Sequence, residues 1–116
     1  DEWKAYCTAR GWSYLEALKR PAATHVFEFD KYHLDTADGV IMVMPAGKSA
    51  ALELGYTIGK GKPGWILLDD PDRWDVMWQF ATGISDSIDG IVEMVNEYRK
   101  VGSQVFGVSQ ARIALL

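Results

Sequence analysis

An unbroken apolar run over residues 39–44 dominates the pattern of hydrophobic and polar positions along the chain. Its β-branched side chains at Val40, Ile41 and Val43 favour an extended conformation. A run without alternating polar positions is typical of a strand that is buried on both faces, as in a parallel sheet. Pro, Ala and Gly at positions 45–47 end the run. The pattern therefore predicts a central buried strand followed by a tight turn.

The residues after this turn predict a helix. Ser49 is expected to act as its N-cap, because a hydroxyl can accept a hydrogen bond from the free amides of a first turn. Ala50, Leu54 and Ile58 recur at helical spacing and predict the face that lies on the sheet. Two glycines and a proline within residues 59–63 predict the end of the helix.

A second apolar run over residues 64–68 completes a strand–loop–helix–strand unit. Within it, Glu53 is expected in the first turn of the helix, at the carboxyl end of the preceding strand. Open α/β sheets place their ligand sites at that edge. An acidic residue near a helix N-terminus also offsets the helix dipole, so a purely structural role for Glu53 is the alternative.

The remaining patterns alternate between helical and extended periods. The stretch 12–15 is aromatic-rich and predicts a short strand, with a helix over 16–20 as the alternative. Alternating strands and helices predict an α/β fold with a parallel, doubly wound (Rossmann- or flavodoxin-like) sheet. The other predicted elements are helices over residues 2–10, 25–36 and 87–100, a short helix ending at Phe80 and a strand over 83–85.

The chain opens on a helix, whereas a fold of this kind normally begins with a strand. We expect either that this strand lies upstream of Asp1 or that residues 111–116 take its place, and we favour the first explanation. The predicted organisation is one domain over residues 1–102. Residues 103–116 would form a C-terminal tail, for which sheet completion and oligomerisation are the alternatives.

Composition narrows the classes of function. The chain has 116 residues and a net charge of −4, which argues against a surface that coats a nucleic acid polymer. Cys7 is the only cysteine, so no intramolecular disulfide can form and a reducing, cytoplasmic location is expected. No apolar run approaches the length of a membrane span. His25 and His33 are eight residues apart and lack partner ligands, so neither a metal nor a cofactor is expected.

Gly47-Lys48-Ser49 after a strand is reminiscent of a phosphate-binding loop. The full motif requires a glycine five positions before the first glycine of Gly-Lys-Ser, and Met42 occupies that position. A nucleoside-triphosphatase is therefore excluded. A helix N-terminus alone can still bind a phosphate or a sugar hydroxyl.

Three short motifs together resemble the nucleoside 2-deoxyribosyltransferase family, in particular its short phage and bacterial members. They are Ala37-Asp38-Gly39 before the central strand, Leu52-Glu53-Leu54-Gly55-Tyr56, and Gly61-Lys62-Pro63. The resemblance covers roughly residues 30–95 and implies cleavage or transfer at the N-glycosidic bond of a nucleoside or nucleoside 5′-monophosphate. It assigns the nucleophile to Glu53 and a substrate-positioning role to Asp38. Because a carboxylate can trap an oxocarbenium-like centre, this chemistry suits the residue.

The same resemblance implies a homo-oligomer in which Met77 reaches the site of a neighbouring subunit. Transferases of the family carry an acidic residue six positions before the nucleophile, where this chain has Gly47. Hydrolases that act on deoxynucleoside monophosphates carry small residues and Ser in this turn, and this chain has Gly47 and Ser49 there. The turn therefore favours a hydrolase over a transferase. The competing function is a non-catalytic nucleotide-binding or protein-interaction module on the same scaffold.

Overall fold

The computed structural model describes the backbone of residues 1–106 and 111–116, and the side chains of 1–101 and 111–116. It divides into two compact units, Asp1–His33 and Leu34–Leu116. The helices are α1 (Glu2–Ala9), α2 (Tyr14–Leu18), α3 (Pro21–Thr36), α4 (Lys48–Gly59), a 3₁₀ helix (Val76–Phe80) and α5 (Ile88–Phe106); the strands are β1 (Gly39–Val43), β2 (Gly64–Leu67), β3 (Gly83–Ser85) and β4 (Ile113–Leu115).

The second unit is built on a four-stranded sheet in the order β3-β2-β1-β4. Every pairing is parallel: Ile41 of β1 lies opposite Trp65 of β2 and Leu115 of β4, and β2 pairs with β3 in the same way. Helices connect the strands, with α4 packed on one face of the sheet and α5 on the other. The structure thus confirms the predicted α/β fold with a parallel sheet.

Each sheet face carries its own apolar cluster, as the unbroken apolar run of β1 predicts. On one face Val40, Met42 and Ile66 are fully buried and pack with Leu54 of α4 and Leu34 near the end of α3. On the other face Trp65 packs with Ile91 and Val95 of α5. Because successive strand residues point to opposite faces, β1 contributes to both clusters and its position is fixed by burial on both sides.

β4 lies beside β1, in the position that the first strand of the predicted fold would take. Its backbone is held at both ends: the Asp38 amide donates to the Arg112 carbonyl at 2.8 Å, and the Leu116 amide donates to the Ile41 carbonyl at 2.8 Å. The pairing agrees with the second explanation offered by the sequence, in which residues 111–116 take this position, and not with the upstream strand that we favoured. Helix α5 also runs past its predicted end at residue 100, to Phe106, and so includes the first residues of the predicted C-terminal tail. Residues 107–110 of that tail lie outside the described part of the chain.

The first unit corrects the predicted strand over residues 12–15. Residues 14–18 form α2, and Ser13 and Glu16 make a reciprocal capping box in which each side chain accepts from the other residue's amide, at 3.1 and 3.2 Å. The capping box satisfies two amides that a helix start would otherwise leave unpaired, so it selects the helix locally. The aromatic character of Trp12 and Tyr14 suggested a strand, but both side chains instead form edge-to-face pairs with aromatic residues of α1.

Candidate functional site

The strand order of the second unit defines where a ligand site is expected. From β1 the chain passes through α4 to β2 and on to β3, moving in one direction across the sheet. It then returns through α5 on the opposite face to β4, on the other side of β1. This reversal makes the carboxyl end of β1 the topological switch point, and crevices at such points are the usual ligand sites of open α/β sheets. The turn 44–47 and the start of α4 lie there.

The start of α4 corrects the predicted cap. Gly47 is the N-cap residue, with an extended backbone and no side-chain hydrogen bond to the helix, whereas Ser49 is the second residue of the helix. Glu53 consequently lies in the second turn and not in the first. The first-turn amides of α4 therefore lack a side-chain cap from Gly47, which suits an anion or a hydroxyl as their partner.

Glu53 and Ser49 lie on the same flank of α4, because residues four apart are neighbours on a helix surface, with roughly 5–6 Å between their Cβ atoms. The flank borders the buried stripe of the helix: Glu53 is half-buried, whereas Ser49 is exposed. One turn further along, the fully buried Thr57 donates its hydroxyl hydrogen to the Glu53 carbonyl at 2.9 Å. Side chains on a helix lean toward its N-terminus, so the Glu53 carboxylate leans toward the carboxyl edge of the sheet. Ser49 and Glu53 thus lie together on the flank of α4 that begins at the N-cap residue Gly47.

Asp38 lies at the opposite edge. It precedes β1 and is six residue steps from the start of the turn 44–47, or about 20 Å at a rise of about 3.3 Å per residue. Its carboxylate accepts a hydrogen bond from the Arg112 amide at 2.7 Å, next to the backbone bond that holds the same residue. The geometry therefore gives Asp38 a role in anchoring β4 and does not bring it together with Ser49.

A cluster that the sequence did not predict joins α4 to the end of α3. The Tyr56 hydroxyl donates a hydrogen bond to the Asp35 carboxylate. The Lys62 ammonium donates to the backbone carbonyls of Asp35 at 2.7 Å and Ala37 at 2.9 Å. A cation near the last carbonyls of a helix is favourable because those groups carry the negative end of the helix dipole. Gly61, with a φ of +82°, forms the turn that brings Lys62 back toward α3.

Met77 lies in the 3₁₀ helix between β2 and β3. It is exposed, and with Val76, Gln79 and Phe80 it lines an open cleft of about 340 Å³. Trp78 of the same helix is half-buried against the cluster that contains Leu54 of α4. The 3₁₀ helix therefore lies on the same sheet face as α4.

Three broader observations complete the description. Over the described residues, no helix combines the length and apolarity needed to cross a membrane. Within that same part of the chain, no three His, Cys, Asp or Glu side chains lie close enough together to hold a metal ion. No protein-family model, curated protein or solved structure matches the chain.

Proposed function

We propose that the protein cleaves the N-glycosidic bond of a nucleoside or nucleoside 5′-monophosphate, with Glu53 as the nucleophile. The observation that carries the proposal is that Ser49 and Glu53 share one flank of α4, whose N-cap residue Gly47 lies at the switch point of the sheet. The resemblance to nucleoside 2-deoxyribosyltransferases assigns the nucleophile to the same residue.

The geometry supports a division of labour within this group. The Glu53 carboxylate attacks C1′ as the bond to the base breaks, and the bonding electron pair leaves with the base, which takes a proton from water. Water then attacks the glycosyl ester and releases Glu53; in a transferase a second base would take the place of this water. Ser49 and the first-turn amides of α4 are placed to bind the 5′-phosphate or a sugar hydroxyl.

The test measures release of free base from a panel of nucleosides and 5′-monophosphates. The variant Glu53→Gln keeps the size of the side chain but removes the nucleophile, and we expect turnover to fall by about a thousandfold or more. Glu93→Gln, an identical change at an exposed position of α5, is the matched control and should leave turnover unchanged. A Glu53→Gln protein as active as the wild type, or a folded wild type without turnover on any substrate, would refute the proposal.

Two additions to this assay define the substrate and the reaction. An acceptor base that accelerates base release and appears in the product identifies a transferase, whereas a rate independent of acceptor identifies a hydrolase. Ser49→Ala should raise KM for 5′-monophosphates by about tenfold and leave nucleosides unaffected if Ser49 binds the phosphate, a loss in keeping with one hydrogen bond to a charged group.

We further propose that the active form is a homo-oligomer, with Met77 contributing to a neighbouring site. Trp74, Val76, Met77 and Phe80 are all exposed, and large apolar patches of this kind usually mark interaction surfaces. We expect both Glu53→Gln and Met77→Glu to be inactive alone. In an equal mixture, half of the randomly formed dimers contain one subunit of each variant, and one of the two sites in such a dimer has both Glu53 and Met77. We expect recovery of about a quarter of wild-type activity. Failure to recover activity from dimeric variants would contradict a contribution from the neighbouring subunit.

A cytoplasmic location forms part of the proposal, since the single thiol of Cys7 is buried and has no disulfide partner within the chain.

One observation favours the second candidate, a non-catalytic nucleotide-binding or interaction module. Asp38, which the resemblance assigns to substrate positioning, holds the backbone of β4 at the opposite sheet edge. Calorimetric titration with nucleosides and 5′-monophosphates distinguishes the two functions. Binding without turnover that is weakened by Ser49→Ala but not by Glu53→Gln identifies the module.

A further inference from the structure

Over the residues that the structure describes, the second sheet face is only partly covered. Helix α5 packs on β2 and β3. Beside it, the neighbouring strands β1 and β4 form the floor of a groove. Ile41 and Ile113 line this floor, while Val92, Asn96 and Arg99 of α5 line the wall, enclosing about 170 Å³. The groove is separate from Glu53, since β1 contributes Ile41 to this face and Met42 to the face that α4 covers.

Exposed apolar side chains extend the groove toward the carboxyl edge of the sheet. Leu115 of β4 alternates with Ala114 and so shares the face of Ile113, and it is 73% exposed. On the flank of α5, Ile88 is 70% and Val92 49% exposed. From Ile88 to Arg99 the wall is three helical turns long, or about 16 Å. The uncovered surface is therefore an elongated apolar strip and not a closed pocket.

The dimensions of the strip select its occupant. Neighbouring strands are about 4.8 Å apart, whereas packed helices lie about 8–10 Å apart. One helix therefore covers about two strands, and the strip over β1 and β4 has the width of one further helix beside α5. An extended peptide would leave its backbone hydrogen-bonding groups unpaired on this face, because both strands direct only side chains toward it.

Charge adds a second requirement. Arg99 is the only ionisable side chain among the described residues that line the groove. It is half-buried, and its Nε and one Nη donate to the Ala111 carbonyl at 3.3 and 2.9 Å. A guanidinium carries five N–H donors, so it retains donors for a second acceptor. A carboxylate on the occupant matches this cation best.

We propose that this groove binds an amphipathic helix of a partner protein. The helix spans at least three turns, presents apolar residues at positions i, i+3/i+4 and i+7, and places an acidic residue against Arg99. The surface is independent of the glycosidic chemistry proposed for Glu53, so either proposal can fail alone.

The test uses three labelled peptides of about 18 residues, long enough to cover the strip. One has a leucine stripe and a Glu at each end of it, the second has Lys at the same two positions, and the third is a scramble of the first. Fluorescence anisotropy measures their binding to the full chain and to the variants Val92→Asp, Leu115→Asp and Arg99→Glu. Glu93→Gln, on the outer face of α5, is the control variant.

We expect saturable binding of the Glu peptide, weakened about tenfold or more by Val92→Asp and by Leu115→Asp, and unchanged in Glu93→Gln. Arg99→Glu should weaken the Glu peptide and make the Lys peptide the stronger ligand. Circular dichroism shows whether each variant is folded. Because Val92 lies in α5 and Leu115 in β4, weaker binding in both variants would not be explained by local damage to one element.

Three outcomes would overturn the proposal. The first is equal binding of the scramble, and the second is binding that neither apolar substitution changes. The third comes from sedimentation of the chain alone: an oligomer that Val92→Asp dissociates would mean that a second copy of the chain covers the groove.

Discussion

Two glycines that face opposite sides of α4 provide a sharp test of how the helix lies on the sheet. Gly64, at the start of β2, is buried against α4: an added Cβ would lie 2.6 Å from Leu54 Cδ1 and 3.1 Å from Ile58 Cγ1. Gly55, on the outer face of α4, has nothing within 4 Å of that position. The same substitution, Gly→Ala, should therefore have opposite effects at the two sites.

The magnitudes follow from these contacts. At Gly64 the new methyl group forces Leu54 to move by about 1 Å within a packed cluster, and overpacking of this kind costs about 1–3 kcal/mol. Replacing Gly also lowers the entropy of the unfolded chain, which offsets about 0.4–1 kcal/mol. Gly64→Ala should thus destabilise the fold by about 1.5 kcal/mol. Gly55→Ala should stabilise it by about 0.5–1 kcal/mol, because Ala is the better helix former.

Urea unfolding followed by circular dichroism measures both values, and the Tm should move by about 4 °C per kcal/mol for a chain of this size. The urea m-value should be unchanged in both variants, since neither alters the surface exposed on unfolding. A Gly64→Ala protein as stable as the wild type would refute the described packing of α4 on β2. Destabilisation by Gly55→Ala would show instead that the outer face of α4 is covered in solution.

Three further predictions concern charged groups. Lys62→Met should destabilise the fold by about 2–4 kcal/mol, because two backbone carbonyls lose a charge-assisted hydrogen bond. The control Lys60→Met removes only an exposed ammonium near the Tyr56 ring and should cost at most about 1 kcal/mol. Urea unfolding measures both variants, and equal effects would contradict the capping role of Lys62. Asp38→Ala should cost about 1–2 kcal/mol and raise hydrogen exchange selectively in the last four residues, so unchanged exchange there would show that its carboxylate does not hold β4. The pKa of Glu16 lies below its ordinary value of 4.5, because the carboxylate accepts hydrogen bonds from the Ser13 amide and hydroxyl and lies near the cationic side chain of Arg20. The ionised Glu16 carboxylate therefore stabilises α2 at pH values above the pKa of Glu16 in the unfolded chain, and this stabilisation is lost as the pH falls through its lower pKa in the folded chain. In an NMR titration the midpoint for Glu16 should rise in Ser13→Ala, and an unchanged midpoint would argue against the capping box.

The sequence predicts the central fold because burial on both faces leaves a strong signal. The run around Val40 and the helical period of Leu54 and Ile58 in α4 can hardly be fitted to another element. Local chemistry is harder to rank. Gly47 and Ser49 both precede a helical pattern, and either could cap it. The aromatic side chains of Trp12 and Tyr14 suit a strand until the hydrogen bonds of the capping box that Ser13 makes with Glu16 are considered.

The periodicity of a sequence does not predict contacts between residues that are far apart along the chain. The bond between Asp38 and Arg112 joins residues 74 positions apart, so no local pattern could show that this carboxylate anchors a strand. The contact of Lys62 with the end of α3 spans 27 positions. Both residues belong to the motifs on which the family resemblance rests, and for both the structure supplies an architectural reason.

These architectural roles decide which substitution can test the proposed chemistry. Loss of activity in a Lys62 or Tyr56 variant would be ambiguous, because each side chain fixes α4 relative to the end of α3. Asp38 is ambiguous in the same way through β4. At Glu53 the backbone carbonyl accepts a hydrogen bond from Thr57, which Glu53→Gln retains, and the substitution removes the charge of a half-buried side chain at nearly constant size. An activity that disappears in Glu53→Gln, at unchanged Tm and unchanged affinity for the substrate, would therefore separate catalysis at this carboxylate from support of the scaffold.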